Sequence, residues 1–286
     1  VRRKARLAKV VMPELPEVEN TRRYLEEQGL VGARFESANI GWARTIKTPS
    51  LEDFVLGIPG RKVTDIGRRG KYLIITLSVN TYNPISFFII HLGMTGGLRL
   101  HPKSKPRPEL VRHTFSLQDG RELRFIDPRK FGHMWLVNDW ENALPKFGPE
   151  PLESEFTIEY LVETCKQRKI PIKALLLEQS VIAGLGNLYV DESLYISGVY
   201  PNRLASQLEA DELSRLHHAI IMTLNSALRQ YDEHREDSSK EPEFSLSTWT
   251  IPRKIGELCL TCDTSINRLI IRGRSSFFCP SCQLAD

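Results

Sequence analysis

The chain has 286 residues, of which 41% are hydrophobic and 26% are charged, and its formal net charge is +4. This composition predicts about two globular domains with buried cores and excludes an intrinsically disordered chain. The longest apolar run, Phe87-Phe88-Ile89-Ile90, is far too short to span a bilayer, and no secretory signal is recognisable. We therefore expect no membrane association and a cytoplasmic location.

The N-terminal segment combines a basic lead-in with an acidic motif that contains two prolines. Residues 1–12 form a basic extension that ends at Met12. We interpret it as a misannotated upstream start, and a genuine arm that contacts phosphates is the alternative. The motif that follows, P-E-L-P-E-V-E from Pro13, is by itself typical of a helix start with carboxylates at the positive end of the dipole. If the chain begins at Pro13, the motif also offers a secondary amine that can form a Schiff base. Glu14 would then serve as a general acid or base, with Glu17 within helical reach.

One helix and many short strands are predicted for residues 13–144. Apolar residues recur at helical spacing over 16–28, and Gly29 is a plausible stop. Asp119-Gly120, between two of the strands, is a strong hairpin signal. The predicted strands are Lys62–Ile66, Tyr72–Leu77, Ser86–Leu92, Gly97–Leu100, His113–Gln118, Glu122–Ile126 and His133–Val137. Many short strands after a single helix indicate a sandwich or barrel-like N-terminal domain.

Helical character takes over after a linker at 145–152 that is rich in proline and glycine. A helical domain over 153–246 follows the linker. Its predicted helices are Ile158–Gln167, Ile172–Glu178, Leu188–Ile196 and Ala210–Tyr231. The segment Asp232–Glu243 is dense in charge and serine and predicts a mobile loop.

A module with two C-x2-C pairs occupies residues 247–286. The pairs are separated by 16 residues and consist of Cys259, Cys262, Cys279 and Cys282. This spacing is typical of a closed, structural zinc site with four thiolates, which takes no part in catalysis. Two disulfides are the alternative, but thiols stay reduced in a chain without a secretory signal. Arg268, Arg272 and Arg274 lie between the pairs and suit phosphate oxygens, whereas Cys165 is expected to pack as a small hydrophobe.

Five motifs occur in order ahead of the cysteine module. They are P-E-L-P-E-V-E at Pro13, R-R-G-K-Y-L at Arg68, H-L-G-M-T-G at His91, D-P-R-K-F-G at Asp127 and A-G-L-G-N-L-Y-V-D-E-S-L at Ala183. From Pro13 to Gln283 the ordered set resembles the formamidopyrimidine-DNA glycosylase (MutM) family of base-excision repair enzymes. The resemblance implies an α+β fold: a β-sandwich flanked by helices, then a helix-two-turn-helix domain and a zinc hairpin. It further implies one structural zinc ion and a monomer that binds duplex DNA in the cleft between its domains.

The resemblance assigns a wedge to three residues. An enzyme that acts on a base extrudes it from the stack and must fill the gap that remains. Met94, Arg129 and Phe131 match this wedge, in which the guanidinium hydrogen-bonds the orphaned base. As core residues, Met94 and Phe131 would look equally ordinary.

The resemblance also implies four DNA contacts outside the wedge. Lys71 matches the lysine that reaches a phosphate near the lesion and is grouped with the catalytic residues, while a solvated charge at a strand end is the alternative. Asn187 matches a phosphate-binding amide at a helix N-terminus, for which an ordinary N-cap is the alternative. Arg274 matches the arginine that contacts the phosphate of the damaged nucleotide. Lys173 falls on a family lysine and is expected to bind DNA.

The implied activity is removal of oxidised purines, such as 8-oxoguanine and formamidopyrimidines, followed by strand cleavage. The Pro13 nitrogen attacks the sugar C1′, the base leaves, and the Schiff base acidifies the C2′ proton so that both phosphates are eliminated. Glu14 shuttles the proton. An amide nitrogen has no lone pair to offer, so the functional protein is expected to begin at Pro13 after loss of Met12.

Two segments depart from the family pattern. Ile251-Pro252-Arg253-Lys254 replaces a Tyr-Gly-Arg-type segment, and no Gly-Gly-Ser/Thr segment is recognisable in Leu228–Phe244. The second departure puts the lesion preference in doubt, so an endonuclease VIII-like preference for oxidised pyrimidines remains an alternative. A non-catalytic zinc-containing DNA-binding protein with a blocked amine is the alternative from another functional class.

Overall fold

The computed structural model describes residues 12–78, 86–235 and 249–285, and these form two compact units. The N-terminal unit contains the described residues up to Pro145 together with 231–235. The C-terminal unit contains Lys146–Gln230 and 249–285. Residues 231–235, at the end of the longest helix, are grouped with the N-terminal unit because they make their contacts there. No helix in the described ranges is long and apolar enough to cross a membrane.

Two β-sheets dominate the N-terminal unit. Four antiparallel strands form one sheet, in the spatial order β1 (Phe35–Ile40), β7 (Val111–Leu117), β8 (Arg121–Ile126) and β6 (Gly97–Pro102). Five strands form the other, in the order β2 (Ile46–Thr48), β9 (His133–Val137), β5 (Ser86–His91), β4 (Tyr72–Ser78) and β3 (Lys62–Arg69). Among the described strands of this sheet, only β2 and β9 pair in parallel. The helices are α1 (Leu15–Glu27), α2 (Leu51–Gly57) and α3 (Trp140–Ala143).

One apolar core joins the two sheets. It contains Phe35 and Phe115 from the first sheet, Phe88 from the second and Phe54 from α2, all of them fully buried. Their ring centroids lie 5.0 to 6.4 Å apart in edge-on or tilted arrangements. Such pairs stabilise a core by about 0.5–1.5 kcal/mol each beyond the burial of apolar area. The predicted sandwich is therefore confirmed.

The sequence patterns miss β1, β2, α2 and the short α3, although every predicted strand is present within a few residues of its expected bounds. Phe35 is the only fully buried residue of β1, so that strand shows no alternation of apolar and polar residues. β2 has only three residues. α2 begins after Ser50, whose hydroxyl oxygen accepts a hydrogen bond from the Asp53 backbone N–H at 3.1 Å.

Helices build the C-terminal unit up to the cysteine module: α4 (Ile158–Cys165), α5 (Ile172–Leu176), α6 (Asn187–Ser197) and α7 (Ala210–Arg235). α7 continues past its predicted end at Tyr231, so the prediction of a mobile loop is wrong for residues 232–235. Ion pairs hold this last turn: Arg23 contacts Asp232 at 2.9 Å, and Arg235 contacts Glu27 at 3.2 Å. The remainder of the predicted loop lies outside the described residues.

The cysteine module is built around a two-stranded hairpin. β10 (Asn267–Ile271) pairs antiparallel with β11 (Arg274–Phe278). Arg272 and Gly273 form the turn with φ values of +46° and +74°. Two successive positive φ values are what a type I′ hairpin turn requires, and the glycine adopts its value without strain.

Candidate active site and nucleic-acid interface

The start of α1 fixes two buried carboxylates beside Pro13. Glu14 is the N-cap of the helix, and its backbone N–H donates to Glu17 Oε2 at 2.8 Å. The Tyr231 hydroxyl from α7 donates to Glu17 Oε1, also at 2.8 Å. Pro13 is buried, and both glutamates are 0% exposed. The segment is therefore a helix start and at the same time a rigid acidic setting for Pro13, so the two interpretations of this motif are compatible.

Lys71 lies in the tight turn between β3 and β4, which α1 holds in place. The Arg68 guanidinium donates to the Gly70 carbonyl at 3.1 Å and to Glu19 Oε2 of α1 at 3.2 Å. Burial raises the pKa of the Glu19 carboxyl, but the surrounding guanidinium groups outweigh burial and keep this pKa below its ordinary value. A single helix thus carries the Pro13 motif and the anchor of the Lys71 turn.

His91 stands next to the Lys71 turn and is neutral at pH 7. Burial, the Lys71 charge and the nearby His133 together lower the pKa of His91 to about 4. Its Nδ1 accepts a hydrogen bond from the Gly93 backbone N–H at 3.2 Å. With Nδ1 as an acceptor, the ring proton is assigned to Nε2, which makes that nitrogen a hydrogen-bond donor.

Asp127 ties together the two loops that carry the predicted wedge residues. Its Oδ1 accepts from the Thr95 hydroxyl at 2.6 Å, and its Oδ2 accepts from the Gly132 backbone N–H at 2.8 Å. Thr95 Oγ1 also accepts from the Arg129 backbone N–H at 3.3 Å. The loops approach so closely that a Cβ at Gly93 would lie 2.5 Å from the backbone of Phe131. Only glycine fits there, so the sequence fixes the spacing of the two loops.

The structure brings Met94, Arg129 and Phe131 together on this pair of loops. Phe131 is 46% exposed, which is unusual for a large apolar side chain, and Met94 is half-buried. The Arg129 guanidinium carbon lies 5.0 Å from the centre of the Phe131 ring, in cation–π contact. An exposed aromatic ring with a stacked guanidinium does not belong to the core, so the core alternative fails for Phe131.

Lys173 does not reach the surface, which contradicts its expected role as a DNA contact. Its side chain is 0% exposed, and its Nζ donates to Asp191 Oδ1 at 2.6 Å and to the Ser275 carbonyl at 2.9 Å. Arg253 contacts the other Asp191 oxygen at 3.0 Å. Burial raises the pKa of the Asp191 carboxyl, and the two cations oppose that rise. Lys173 therefore joins α5 and α6 to β11 of the zinc hairpin.

Asn187 is the first residue of α6, and the N-cap is Gly186. The alternative that Asn187 is an ordinary N-cap is therefore wrong. Its Oδ1 is buried without a hydrogen-bond partner among the described residues. Backbone N–H groups at a helix N-terminus favour anions, and a side-chain amide at the first position can add a donor.

The four cysteines of the module fit one structural zinc ion. Their Sγ atoms all lie within 4.8 Å of one another, with pairs at 3.4, 3.5 and 3.8 Å. A tetrahedral ion with Zn–S distances near 2.3 Å places its sulfurs about 3.8 Å apart. Disulfide sulfurs would lie about 2 Å apart, and the cysteines are free thiols. The backbone N–H groups of Thr261 and Cys282 point to Sγ atoms at 3.4 Å, as hydrogen-bond donors to metal-bound thiolates do.

Arg274 is exposed at the start of β11, directly after the turn of the hairpin. The neighbouring Arg272 is bound to Glu178 at 2.7 Å. Of these two arginines, Arg274 is therefore the one available to a phosphate. Cys165, by contrast, is buried, and burial raises the pKa of its thiol to about 12, which makes it unreactive.

Sequence reasoning missed the residues that position the site. Asp127 and Thr95 lie inside recognised motifs, but their bond spans 32 residues and has no local signal. Glu19 and Tyr231 likewise act through partners distant in sequence.

Three family models match the chain. They describe the "Formamidopyrimidine-DNA glycosylase N-terminal domain" at residues 12–134, the "Formamidopyrimidine-DNA glycosylase H2TH domain" at 147–238 and the "Zinc finger found in FPG and IleRS" at 256–285. Among curated relatives, the formamidopyrimidine-DNA glycosylase of Protochlamydia amoebophila is 37% identical over 281 residues, covering 95% of this chain and 99% of the relative. That of Acaryochloris marina is 36% identical over 283 residues with the same coverage.

Solved structures agree with these matches. The Lactococcus lactis enzyme non-covalently bound to DNA with an AP site has a TM-score of 0.81 at 32% identity, covering 95% of this chain and 99% of that chain. A MutM complex with DNA containing carbocyclic 8-oxo-G has a TM-score of 0.83 at 33% identity, covering 95% and 100%. The matches span both units and the cysteine module, in the order that the motifs predict. The chain therefore belongs to the formamidopyrimidine-DNA glycosylase family.

Proposed function

We propose that this protein removes oxidised purines from duplex DNA and then cleaves the strand by β,δ-elimination through a Schiff base on Pro13. The observation that carries the proposal is the buried setting of Pro13. Glu14 and Glu17 are fully buried next to it, and the Glu17 carboxylate is fixed by hydrogen bonds from the Glu14 N–H and the Tyr231 hydroxyl. Preorganised carboxylates at a fixed distance from a nucleophile are what general acid–base catalysis needs.

The chemistry balances on the residues of this segment. The Pro13 amine attacks C1′, the C1′–N bond to the damaged base breaks, and the base leaves with a proton. Glu14 transfers that proton and assists opening of the sugar ring. The resulting iminium acidifies C2′, whose proton is lost as the 3′ phosphate leaves, and a second elimination releases the 5′ phosphate. Zinc takes no part in these steps, because a site closed by four cysteines offers no open position.

The proposal also assigns the contacts to the phosphates and the residues of the wedge. Lys71, Asn187 and Arg274 hold the backbone near the lesion. Arg129 hydrogen-bonds the orphaned base, while Met94 and Phe131 fill the gap in the stack. Extruding a base costs a few kcal/mol, which a preassembled wedge helps to offset. The protein is proposed to act as a monomer in the cytoplasm, associated with the nucleoid through DNA.

The active form is proposed to begin at Pro13, because a nitrogen bonded to Met12 is an amide and cannot attack. Intact mass of active protein isolated from its native host tests this requirement. An active enzyme that retains residues 1–12 would rule out Pro13 as the nucleophile.

Borohydride trapping tests the covalent mechanism. Reduction during reaction with a lesion duplex should give a protein–DNA adduct, and Pro13→Gly should abolish it while leaving duplex binding intact. Tight binding without an adduct in the parent protein would support a non-catalytic DNA-binding protein instead.

Lesion preference has a second candidate. One of the similar Lactococcus lactis structures contains DNA with an oxidised pyrimidine. Parallel incision of duplexes with 8-oxoguanine and with thymine glycol separates the two. Faster cleavage of the 8-oxoguanine duplex is expected, and cleavage of thymine glycol alone would overturn the preference for purines.

A further inference from the structure

The loop that carries Arg129 and Phe131, called the wedge loop below, bears a second cation that the proposed chemistry does not use. Lys130, between Arg129 and Phe131, has a φ of +59°, in the left-handed region that non-glycine residues rarely adopt. Its Nζ lies 4.0 Å from the centre of the Trp42 ring. The backbone twist thus separates Lys130 from the Arg129–Phe131 stack and directs it to Trp42. Strain of this kind, about 1 kcal/mol or more, persists where the surrounding structure enforces it.

Arg44 joins the same ring from the 3₁₀ turn Ala43–Thr45, with its guanidinium carbon 5.6 Å from the centre of Trp42. We call Trp42, Arg44 and Lys130 the Trp42 patch. Arg44 and Lys130 are exposed, and neither forms an ion pair with a carboxylate among the described residues. Two cations around one aromatic ring repel each other, so the patch concentrates positive charge that nothing in the described N-terminal unit neutralises.

Arg112 fixes the patch to the wedge. Its backbone carbonyl accepts from the Gly41 N–H at 2.8 Å, next to Trp42. Its guanidinium donates to the Asp127 carbonyl at 2.9 Å and to the Pro128 carbonyl at 3.4 Å, at the start of the wedge loop. The loop that carries Trp42 and the loop that carries Lys130 are therefore held by one residue. The Trp42 patch has a defined position relative to the wedge.

Two further lysines, Lys71 beside β4 and Lys47 in β2, lie along one end of the five-stranded sheet, with the neutral His91 between them. In the strand register, Tyr72 next to Lys71 faces His91, His91 faces His133, and Met134 faces Ile46 in β2. Lys47 of β2 is close enough to lower the pKa of His133, after burial. The two lysines are three strand spacings of about 4.8 Å apart, or about 14 Å, so they can contact different phosphates along one DNA strand.

We propose that the Trp42 patch is an accessory surface that binds the phosphate backbone of DNA beyond the wedge, and that it acts equally on damaged and undamaged duplex. The inference rests on the proposed function, because it takes the wedge as the point where the base is extruded. Contacts to phosphates alone carry no sequence information and strengthen all binding alike. The patch therefore holds the protein on undamaged DNA while the wedge tests individual base pairs.

The test compares Lys130→Gly with the parent protein in equilibrium binding. Glycine adopts a positive φ without strain, so this variant removes the charge while it favours the loop conformation. Lys62→Ala is the matched control, since Lys62 is an exposed lysine at the opposite end of β3 from Lys71. Each protein is titrated with long duplexes, either undamaged or carrying a tetrahydrofuran abasic analogue. Duplexes shortened on one side of the lesion or the other are then compared.

For Lys130→Gly, the plot of log affinity against log salt concentration should become less steep, with a slope about 0.9 less negative than that of the parent on both long duplexes. The ratio of the parent's affinity to that of Lys130→Gly should then decrease about 3-fold between about 50 and 200 mM salt. Shortening the duplex on one particular side of the lesion should remove the difference in affinity between Lys130→Gly and the parent. Lys62→Ala should have the parent's affinity on every duplex.

Three results would overturn the proposal. They are an unchanged salt slope, a loss of affinity confined to the abasic duplex, and a loss of affinity that persists whichever side of the duplex is shortened. Trp42→Ala is a second variant for the same binding measurement. If it has lower thermal stability but the parent's affinity for DNA, the ring only supports the loop. Failure of the proposed function is seen separately, as absence of a borohydride adduct in the parent protein, and leaves this binding comparison interpretable.

Discussion

Replacing Thr95 with valine should separate wedge positioning from Schiff-base chemistry. Valine has nearly the shape of threonine but lacks the hydroxyl. The substitution therefore removes the hydrogen bond to Asp127 and the one from the Arg129 N–H, while the Asp127–Gly132 bond remains. The loop that carries Met94 would then lose its polar link to the loop that carries Arg129.

The expected cost follows from the two bonds. A hydrogen bond to a buried carboxylate stabilises by about 1.5–3 kcal/mol, and a neutral bond by about 0.5–1.5 kcal/mol. The second bond is long, at 3.3 Å, and Thr95 is half-buried, so water can replace part of the loss. A net cost of about 1.5–2.5 kcal/mol remains. If that energy positions the wedge, base removal should slow by about 10- to 70-fold.

Single-turnover kinetics on two substrates measure the effect. An 8-oxoguanine duplex requires extrusion of a stacked base, whereas an abasic duplex has no base to extrude. Thr95→Val should slow excision of 8-oxoguanine and leave borohydride trapping on the abasic duplex within about 3-fold of the parent, a difference of under 1 kcal/mol. Thr95→Ser keeps the hydroxyl and should retain most of the activity. Equal slowing on both substrates, or parental excision by Thr95→Val, would refute a positioning role for this bond.

Three further predictions concern stability. Lys173→Met leaves the buried Asp191 with Arg253 as its remaining cation, so the free energy of unfolding in chemical denaturation should fall by about 2–3 kcal/mol, less than for a buried charge without a partner, and a fall under about 1 kcal/mol would mean that Lys173 is solvated. His113 is buried, and burial lowers its pKa to about 4; the unfolded state therefore binds a proton first, and about 3 kcal/mol of stability should be lost as pH falls from about 6.5 to 4. His113→Gln should make that part of the pH profile less steep, with His91 contributing the remaining slope, and parallel profiles would contradict the assignment. A strong chelator should release one zinc per chain, measured colorimetrically, and Cys279→Ser should unfold the hairpin; a hairpin that stays folded without metal would exclude a structural zinc.

Local patterns were sufficient to predict most of the fold. A short apolar run identified the strand Ser86–His91 because most of its residues are buried, and the C-x2-C spacing identified the zinc module because ligand geometry is local. β1 escaped prediction because only Phe35 is fully buried, so the strand depends on its pairing with β7 rather than on its own pattern. The turn after Tyr231 escaped because its order depends on ion pairs to α1.

The motifs of the site could be predicted from the sequence, but the tertiary contacts that position their side chains could not. Residues of the same type at motif positions can end in opposite environments: Arg274 is exposed on the hairpin, whereas Lys173 is sealed by Asp191, which lies 18 residues away. No local signal distinguishes them, because burial of a cation is decided by its tertiary partner. For the same reason, the sequence identified Asp127 as part of a motif but did not predict that its carboxylate links the two loops of the wedge.

The division of the chain into units limits how the protein can be dissected. The backbone passes from the N-terminal unit to the C-terminal unit at 145, returns at 231 within α7, and must cross once more before 249. A fragment that stops at Pro145 would lack Tyr231, and Glu17 would lose the hydroxyl that holds one of its oxygens. Such a fragment is not an isolated catalytic domain. Inactivity of a truncated chain would report the loss of this distant side chain as much as the loss of DNA contacts.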